Sequence, residues 1–150
     1  MRTLRVKAGK LYVSVIGIVM VQAFWAGEAG SAGALAVGVA AGGAQNGFAF
    51  GIADHGDAAK ARASALARCK ATQESNDAAR SRCMVIGTFE RECTAIAIDP
   101  KNGTPGVGWA IAATQAAANR RALAACKATA GSGRAAACEV SAAHCDQDVK

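Results

Sequence analysis

The sequence predicts an α+β fold built twice: two tandem ββαβ repeats forming a mainly antiparallel sheet of about six strands, with two alanine-rich helices on one face and disulfides as staples. Three observations lead there. Residues 65–72 read ALARCKAT and residues 122–129 read ALAACKAT, a shift of 57 positions. Carried without a gap from Phe48 to Thr72, the same register sets Gly51 against Gly108, Ala53 against Ala110, Leu66 against Leu123 and Cys69 against Cys126, as expected of a duplicated unit. Two more cysteines follow each copy, Cys83 and Cys93 and then Cys138 and Cys145, so the six cysteines sort into three repeat-related pairs.

The chain opens with Arg2, Arg5, Lys7 and Lys10, continues with a nearly unbroken apolar run from Leu11 to Phe24, and then turns to small residues over Ala26 to Ala34. This is the layout of a secretory signal peptide. The apolar run has 14 residues, short of the ~20 that a membrane-spanning helix needs, so residues 1–29 are expected to be a cleaved leader. A single duplicated, disulfide-bonded domain is expected over 30–150, with repeat one at about 34–93 and repeat two at about 94–145. The expected location is extracytoplasmic, periplasmic or secreted, with no stable membrane insertion once the leader is gone.

In the first repeat Leu35, Val37 and Val39 alternate with small residues, Gly42 and Gly43 supply a turn, and Phe48, Phe50 and Ile52 alternate again. Period two on both sides of a glycine break reads as a β-hairpin. Asp57 then offers a helix N-cap, and Ala58, Ala61, Ala65 and Cys69 recur at helical spacing. A short apolar run beginning at a cysteine, Cys83 to Ile86, reads as the closing strand. The second repeat runs the same course. Ile96 and Ile98 alternate, Asp99 to Gly103 turn, and Val107, Trp109 and Ile111 resume the alternation. Thr114 stands where Asp57 stood, Gly131 and Gly133 stop the helix, and Cys138 to Val140 begin the last strand.

Charge narrows the partners. The chain carries a formal net charge of +6, but Arg2, Arg5, Lys7, Lys10 and Glu28 all belong to the expected leader, which leaves +3 scattered over the remainder. No basic stripe remains of the kind that tracks a phosphate backbone, so nucleic acid is not an expected partner. The aromatics after the leader are Phe48, Phe50, Phe89 and Trp109, and alanine buries little area per residue. A core this thin is the setting in which small exported domains use covalent staples.

Six cysteines allow 15 connectivities. The simplest set that respects the duplication joins Cys69 to Cys83, Cys126 to Cys138, and Cys93 to Cys145 across an axis between the units; a crossed set, Cys69 with Cys138 and Cys126 with Cys83, is also symmetric. In the chain-entropy account the two local bridges contribute about 3 kcal/mol each and the longer one about 4. No C-x-x-C pair occurs, which argues against a metal site, and no metal or cofactor is expected.

Few residues suggest chemistry. His55 lies in Asp54-His55-Gly56-Asp57, where a base with an orienting carboxylate is conceivable, yet the second repeat has Ala112 at that position and a polar turn with a cap accounts for all four residues. His144 adjoins Cys145 and Asp146, but a cysteine held in a disulfide has no thiolate to attack with. The run GTPGVG at 103–108 precedes a strand rather than a helix, so the context for dinucleotide binding is missing. No serine stands in a G-x-S-x-G setting. Trp109 aligns with Ile52, which makes both core residues.

The paired A-L-x-x-C helices, the C-x-V strand starts and the C-x-A-I-A strand at Cys93 with its Gly108-Trp109-Ala110 continuation resemble the bacterial exported family catalogued as domain of unknown function 4189, over roughly residues 34–145. The resemblance implies an extracytoplasmic bacterial protein and brings no catalytic residues with it. The functional expectation is therefore a non-enzymatic binding or interaction module for a protein or peptide, of which an inhibitor or immunity-type protein is one form. The alternative is thiol–disulfide exchange at a labile bridge.

Overall fold

The structure, a computed structural model, describes residues 32–146; the expected leader at residues 1–29 lies outside them. The first unit comprises strands β1 (Ala32–Val39) and β2 (Phe48–His55), helix α1 (Ala58–Ala71), the single turn α2 (Asp77–Arg80) and strand β3 (Met84–Phe89). The second comprises β4 (Cys93–Ile98), β5 (Val107–Ala112), helix α3 (Gln115–Ala130) and β6 (Glu139–Cys145). The ββαβ order, performed twice, is as expected. Asp57 accepts from the Lys60 amide and Thr114 from the Ala117 amide, so both expected N-caps satisfy a first-turn donor. Gly131 ends α3 at φ 74°, a left-handed conformation that glycine adopts without steric cost.

The six strands form two three-stranded antiparallel sheets, ordered β2-β1-β3 and β5-β4-β6, where one sheet was expected. Side-chain size explains the division. In the central strand β1, Ala34 and Ala36 face α1, whereas Leu35 and Val37 point to the other side. In β4, Ala95 and Ala97 face α3 and Ile96 points away. Each sheet thus has one face of alanine and glycine suited to a helix and one face of large apolar side chains that needs another cover. The two large faces cover each other around Leu35, Val37, Phe89 and Ile96, all essentially inaccessible. The helices consequently lie on opposite outer faces, giving four layers in the order helix, sheet, sheet, helix.

Contacts between the sheets fix how they cross. Phe48, at the start of β2, stacks on Trp109 of β5 with ring centroids 6.2 Å apart, while Asp54, near the end of β2, meets His144 of β6. One strand therefore spans from one edge of the facing sheet to the other, as in steeply crossed packing.

The helix layers are thin because the backbones touch. A Cβ at Gly51 would run into the Ala65 carbonyl oxygen and the Cys69 amide, and one at Gly108 into the Ala122 oxygen and the Cys126 amide. With alanine at the flanking sites, Ala61 and Ala65 or Ala118 and Ala122, each helix settles directly onto its hairpin. Such contacts gain dispersion energy from close packing rather than from large buried area.

All six cysteines are bridged, as Cys69–Cys83, Cys126–Cys138 and Cys93–Cys145. The first two tie a helix end to the strand that follows it, with Cα atoms 6.0 Å apart in both. The third has a different place from the one expected. Cys93 opens β4 and sits directly opposite Cys145 in the β4–β6 ladder, so this bridge closes the second unit on itself and does not join the two. The positions corresponding to Cys93 and Cys145 in the first sheet are Ala32 and Glu90, and the boundary between units falls before Cys93.

Two buried carboxylates fasten turns. Asp99, whose side chain is fully buried, receives the Arg134 guanidinium at 2.5 and 2.6 Å and the Lys101 amide at 3.1 Å, which ties the β4–β5 hairpin to the segment after α3. Asp146 accepts from the Arg91 amide at 3.0 Å and thereby holds the β3–β4 corner, where Arg91 adopts φ 52°.

Two outcomes follow from these contacts. Gly108→Ala should cost about 1–3 kcal/mol through overpacking, whereas Gly133→Ala, with nothing within 4 Å of the new Cβ, should be neutral in urea denaturation. The Arg134 hydrogen bonds hold the Asp99 carboxyl down at about 2, below the unfolded value of about 3.9. Its stabilisation is accordingly complete above the unfolded value and lost as pH falls from about 4 to about 2. The stability gap between the native chain and Asp99→Asn should hold steady at neutral pH and narrow across that acid window.

Candidate functional site

The outer edge of β2 is where unsatisfied groups, charge and open volume coincide. Ala40 donates to the Gly47 carbonyl, and alternation from that pair directs Ala49, Gly51 and Ala53 toward β1 and leaves the backbone groups of Phe50, Ile52 and Asp54 facing outward. Side chains from α1 occupy two of the outward carbonyls. Arg68 donates to Ile52 O at 2.5 Å and Thr72 Oγ1 to Phe50 O at 3.0 Å. The second unit uses the same device in simpler form, with Thr129 accepting from Val107 N at 2.9 Å and donating to Val107 O at 2.8 Å.

Beside this edge lies an open cleft of about 460 Å³. Phe50, Ile52 and Ala142 give it apolar lining, and Arg68 and Glu74 supply opposite charges on the helix side. At one end sit Asp54 and His144, bonded through Oδ2 and Nε2. The second carboxylate oxygen of Asp54, Oδ1, is buried and has no hydrogen-bond partner. A buried acceptor of this kind is costly unless something donates to it. Phe50, in the cleft lining, packs on Phe48 with centroids 5.9 Å apart, and the stack continues to Trp109, so three half-buried aromatic rings run along β2 away from the Asp54–His144 end.

The Asp54–His144 pair breaks the internal symmetry. Through the repeat, Asp54 corresponds to Ile111 and His144 to Phe89, residues that belong to the apolar contact between the sheets. Where one end of the sandwich is closed by hydrocarbon, the other is closed by a carboxylate and an imidazole. Neither residue's partner was foreseen. The sequence sets Asp54 beside His55 and His144 beside Cys145 and Asp146, but His55 is exposed at the end of β2, Cys145 is bridged to Cys93, and Asp146 turns to the Arg91 amide. The signal available in the sequence was a polar residue at each of two positions that are apolar in the other repeat.

Other sequence expectations are located as follows. Asp57 is a helix cap. The GTPGVG run forms the end of the β4–β5 hairpin and the start of β5, and so leads into a strand and not directly into a helix. Trp109 packs against the core between the sheets, as its alignment with Ile52 implied. Among the described residues no helix is long and apolar enough to cross a membrane.

A double substitution reads out the ionic end. His144→Ala strands a carboxylate with one oxygen already unpartnered and should cost about 1–3 kcal/mol. Asp54→Ile with His144→Phe, which installs the residues of the opposite end, should restore stability to within about 1 kcal/mol of native or exceed it, measured by urea denaturation of the oxidised protein.

Comparison with curated proteins and with solved structures gives no match. A family model does match, over residues 32–145, and its description is a domain of unknown function, DUF4189. The match runs from the first residue of β1 to the last of β6, the full extent of the two-sheet sandwich, and on that ground the chain belongs to the DUF4189 family.

Proposed function

We propose that this protein is an exported binding module that acts by recognition rather than catalysis and holds a segment of a protein or peptide in the cleft along β2. The observation that carries the reading is the cleft itself. Its size falls within the range of ligand sites, about 300–1,000 Å³, and its lining pairs the apolar side chains of Phe50, Ile52 and Ala142 with Arg68, Glu74 and the Asp54–His144 pair. An apolar anchor flanked by charge suits a polypeptide segment with one large hydrophobic residue beside a basic or acidic one. Because Arg68 and Thr72 already bond two of the outward carbonyls of β2, selectivity would come from side chains lying in the cleft more than from an added strand.

Export is supported by the apolar leader pattern and by three disulfides, which persist in oxidising compartments. An inhibitor or immunity-type protein is the form of this function that needs only a rigid surface. Thiol–disulfide exchange is less well supported, since Cys69, Cys93 and Cys126, one from each bridge, are fully buried and exchange requires access to a sulfur.

Selection of a displayed peptide library on the oxidised full chain should enrich sequences with an apolar residue next to a charged one. Amide shift changes on binding should centre on Phe50, Ile52 and His144, and Glu74→Arg should weaken selected basic peptides by about tenfold, about 1.4 kcal/mol. Failure to enrich any sequence, or shifts confined to surfaces away from β2, would count against the cleft.

A further inference from the structure

We propose that two copies of this chain associate about a two-fold axis by antiparallel pairing of β3 with β3, joining their first sheets into one continuous six-stranded sheet. The sheet orders leave four outer strands, β2, β3, β5 and β6, and an outer strand offers unpaired backbone groups to any passing strand unless something guards it. Three of them carry a guard. Arg68 and Thr72 bond two of the outward carbonyls of β2, Thr129 bonds both outward groups of Val107 on β5, and β6 begins with the charged Glu139. Strand β3, reading MVIGTF, has neither a charge nor a proline, as is true of β5, but unlike β5 it has no side chain bonding its outward backbone groups among the described residues.

Two side chains of β3 are apolar and exposed. Met84 is 62% exposed and Ile86 is 42% exposed, and these two are the exposed large hydrophobic residues among the described ones. Their counterparts on β6 are Glu139 and Ser141, polar residues on the same kind of edge. The duplication thus has water-compatible residues on one outer strand and apolar ones on its twin.

The backbone is free to pair. Gly33 and Leu35 stand opposite Phe89 and Gly87, and odd-numbered residues of β1 direct their groups toward β3, since the even-numbered ones serve β2. Thr88 and Ile86 therefore face outward, and Ile86 has no partner on β1 because the ladder shifts register there. An antiparallel arrangement with the axis at Gly87 sets Ile86 of each copy opposite Thr88 of the other, so both outward pairs exchange hydrogen bonds.

Charge selects a second copy as the occupant. Arg82 precedes β3, and Glu90, Arg91 and Glu92 follow it, so that the far end carries two acids against one base. Antiparallel self-pairing carries the arginine end of one strand to the glutamate end of the other, and the two-fold axis makes that match twice. An isologous contact of this kind is self-complementary and closed. With only one short strand from each copy at its centre, it falls in the class of small, reversible interfaces.

Sedimentation equilibrium on the oxidised full chain should show a concentration-dependent monomer–dimer equilibrium. Ile86→Lys should weaken the dimer by about tenfold or more, and so should Arg82→Glu, an exposed change that leaves the fold intact by circular dichroism. Combining Arg82→Glu with Glu90→Arg and Glu92→Arg should return the dimer to near its native strength. A chain that remains monomeric at every concentration, a dimer indifferent to Ile86→Lys, or a charge reversal that fails to rescue would each overturn the proposal.

Discussion

The approach of helix backbone to strand backbone at Gly51 and Gly108 governs the rest of this architecture. A glycine at each crossing lets the helix sit on the hairpin with only alanine between. Alanine loses no side-chain entropy on burial, but it also removes little surface from water. The helix layers are therefore dense and weakly driven, and their hold on the sheet is reinforced where Cys69 and Cys126 reach the following strands. Large apolar residues are spared for the interface between the sheets. The division of labour is sharp: hydrophobic area binds sheet to sheet, and close contact plus sulfur binds helix to sheet.

Most of this was legible in the sequence because the 57-residue register covers β2, α1 and their copies without a gap. Strand period, the caps at Asp57 and Thr114 and the stop at Gly131 follow from local pattern and repetition, and symmetry favours the observed cysteine pairing as the simplest set without excluding the crossed one. The two sheets were not legible, because alternation shows that a strand has two unlike faces and says nothing about what covers the larger one. Cys93 was assigned to the wrong unit for a related reason. The hairpins differ in length, β1 and β4 stand 61 rather than 57 residues apart in equivalent ladder positions, such as Ala36 and Ala97 opposite Gly51 and Gly108, and the gapless register breaks there. The Asp54–His144 contact spans 90 residues, a separation at which no local pattern acts.

Duplication also explains why the two ends and the two outer edges differ. Equivalent positions have equivalent backbone surroundings, so a change of side chain at one copy alters a surface without disturbing the scaffold. Asp54 and His144 occupy places that Ile111 and Phe89 fill with hydrocarbon, and Met84 and Ile86 occupy places that Glu139 and Ser141 keep polar. The carboxylate and the imidazole enter the sandwich together and bond each other, which meets part of the usual condition for burying polar groups, while Asp54 Oδ1 is left without a partner. The scaffold is symmetric and its decoration is not.

The arrangement of bridges has a consequence for biogenesis. The second unit is cinched by two sulfur links, Cys126–Cys138 nested inside Cys93–Cys145, whereas the first has only Cys69–Cys83. Translation runs in the opposite order, producing the less braced half first, with Leu35, Val37, Phe48 and Phe50 on a broad oily flank that nothing shields until the later half arrives. Nascent chains in that condition are prone to clump. The interval between emergence of the two halves is thus the vulnerable moment in this protein's life, and it is when a holding chaperone has the most to do.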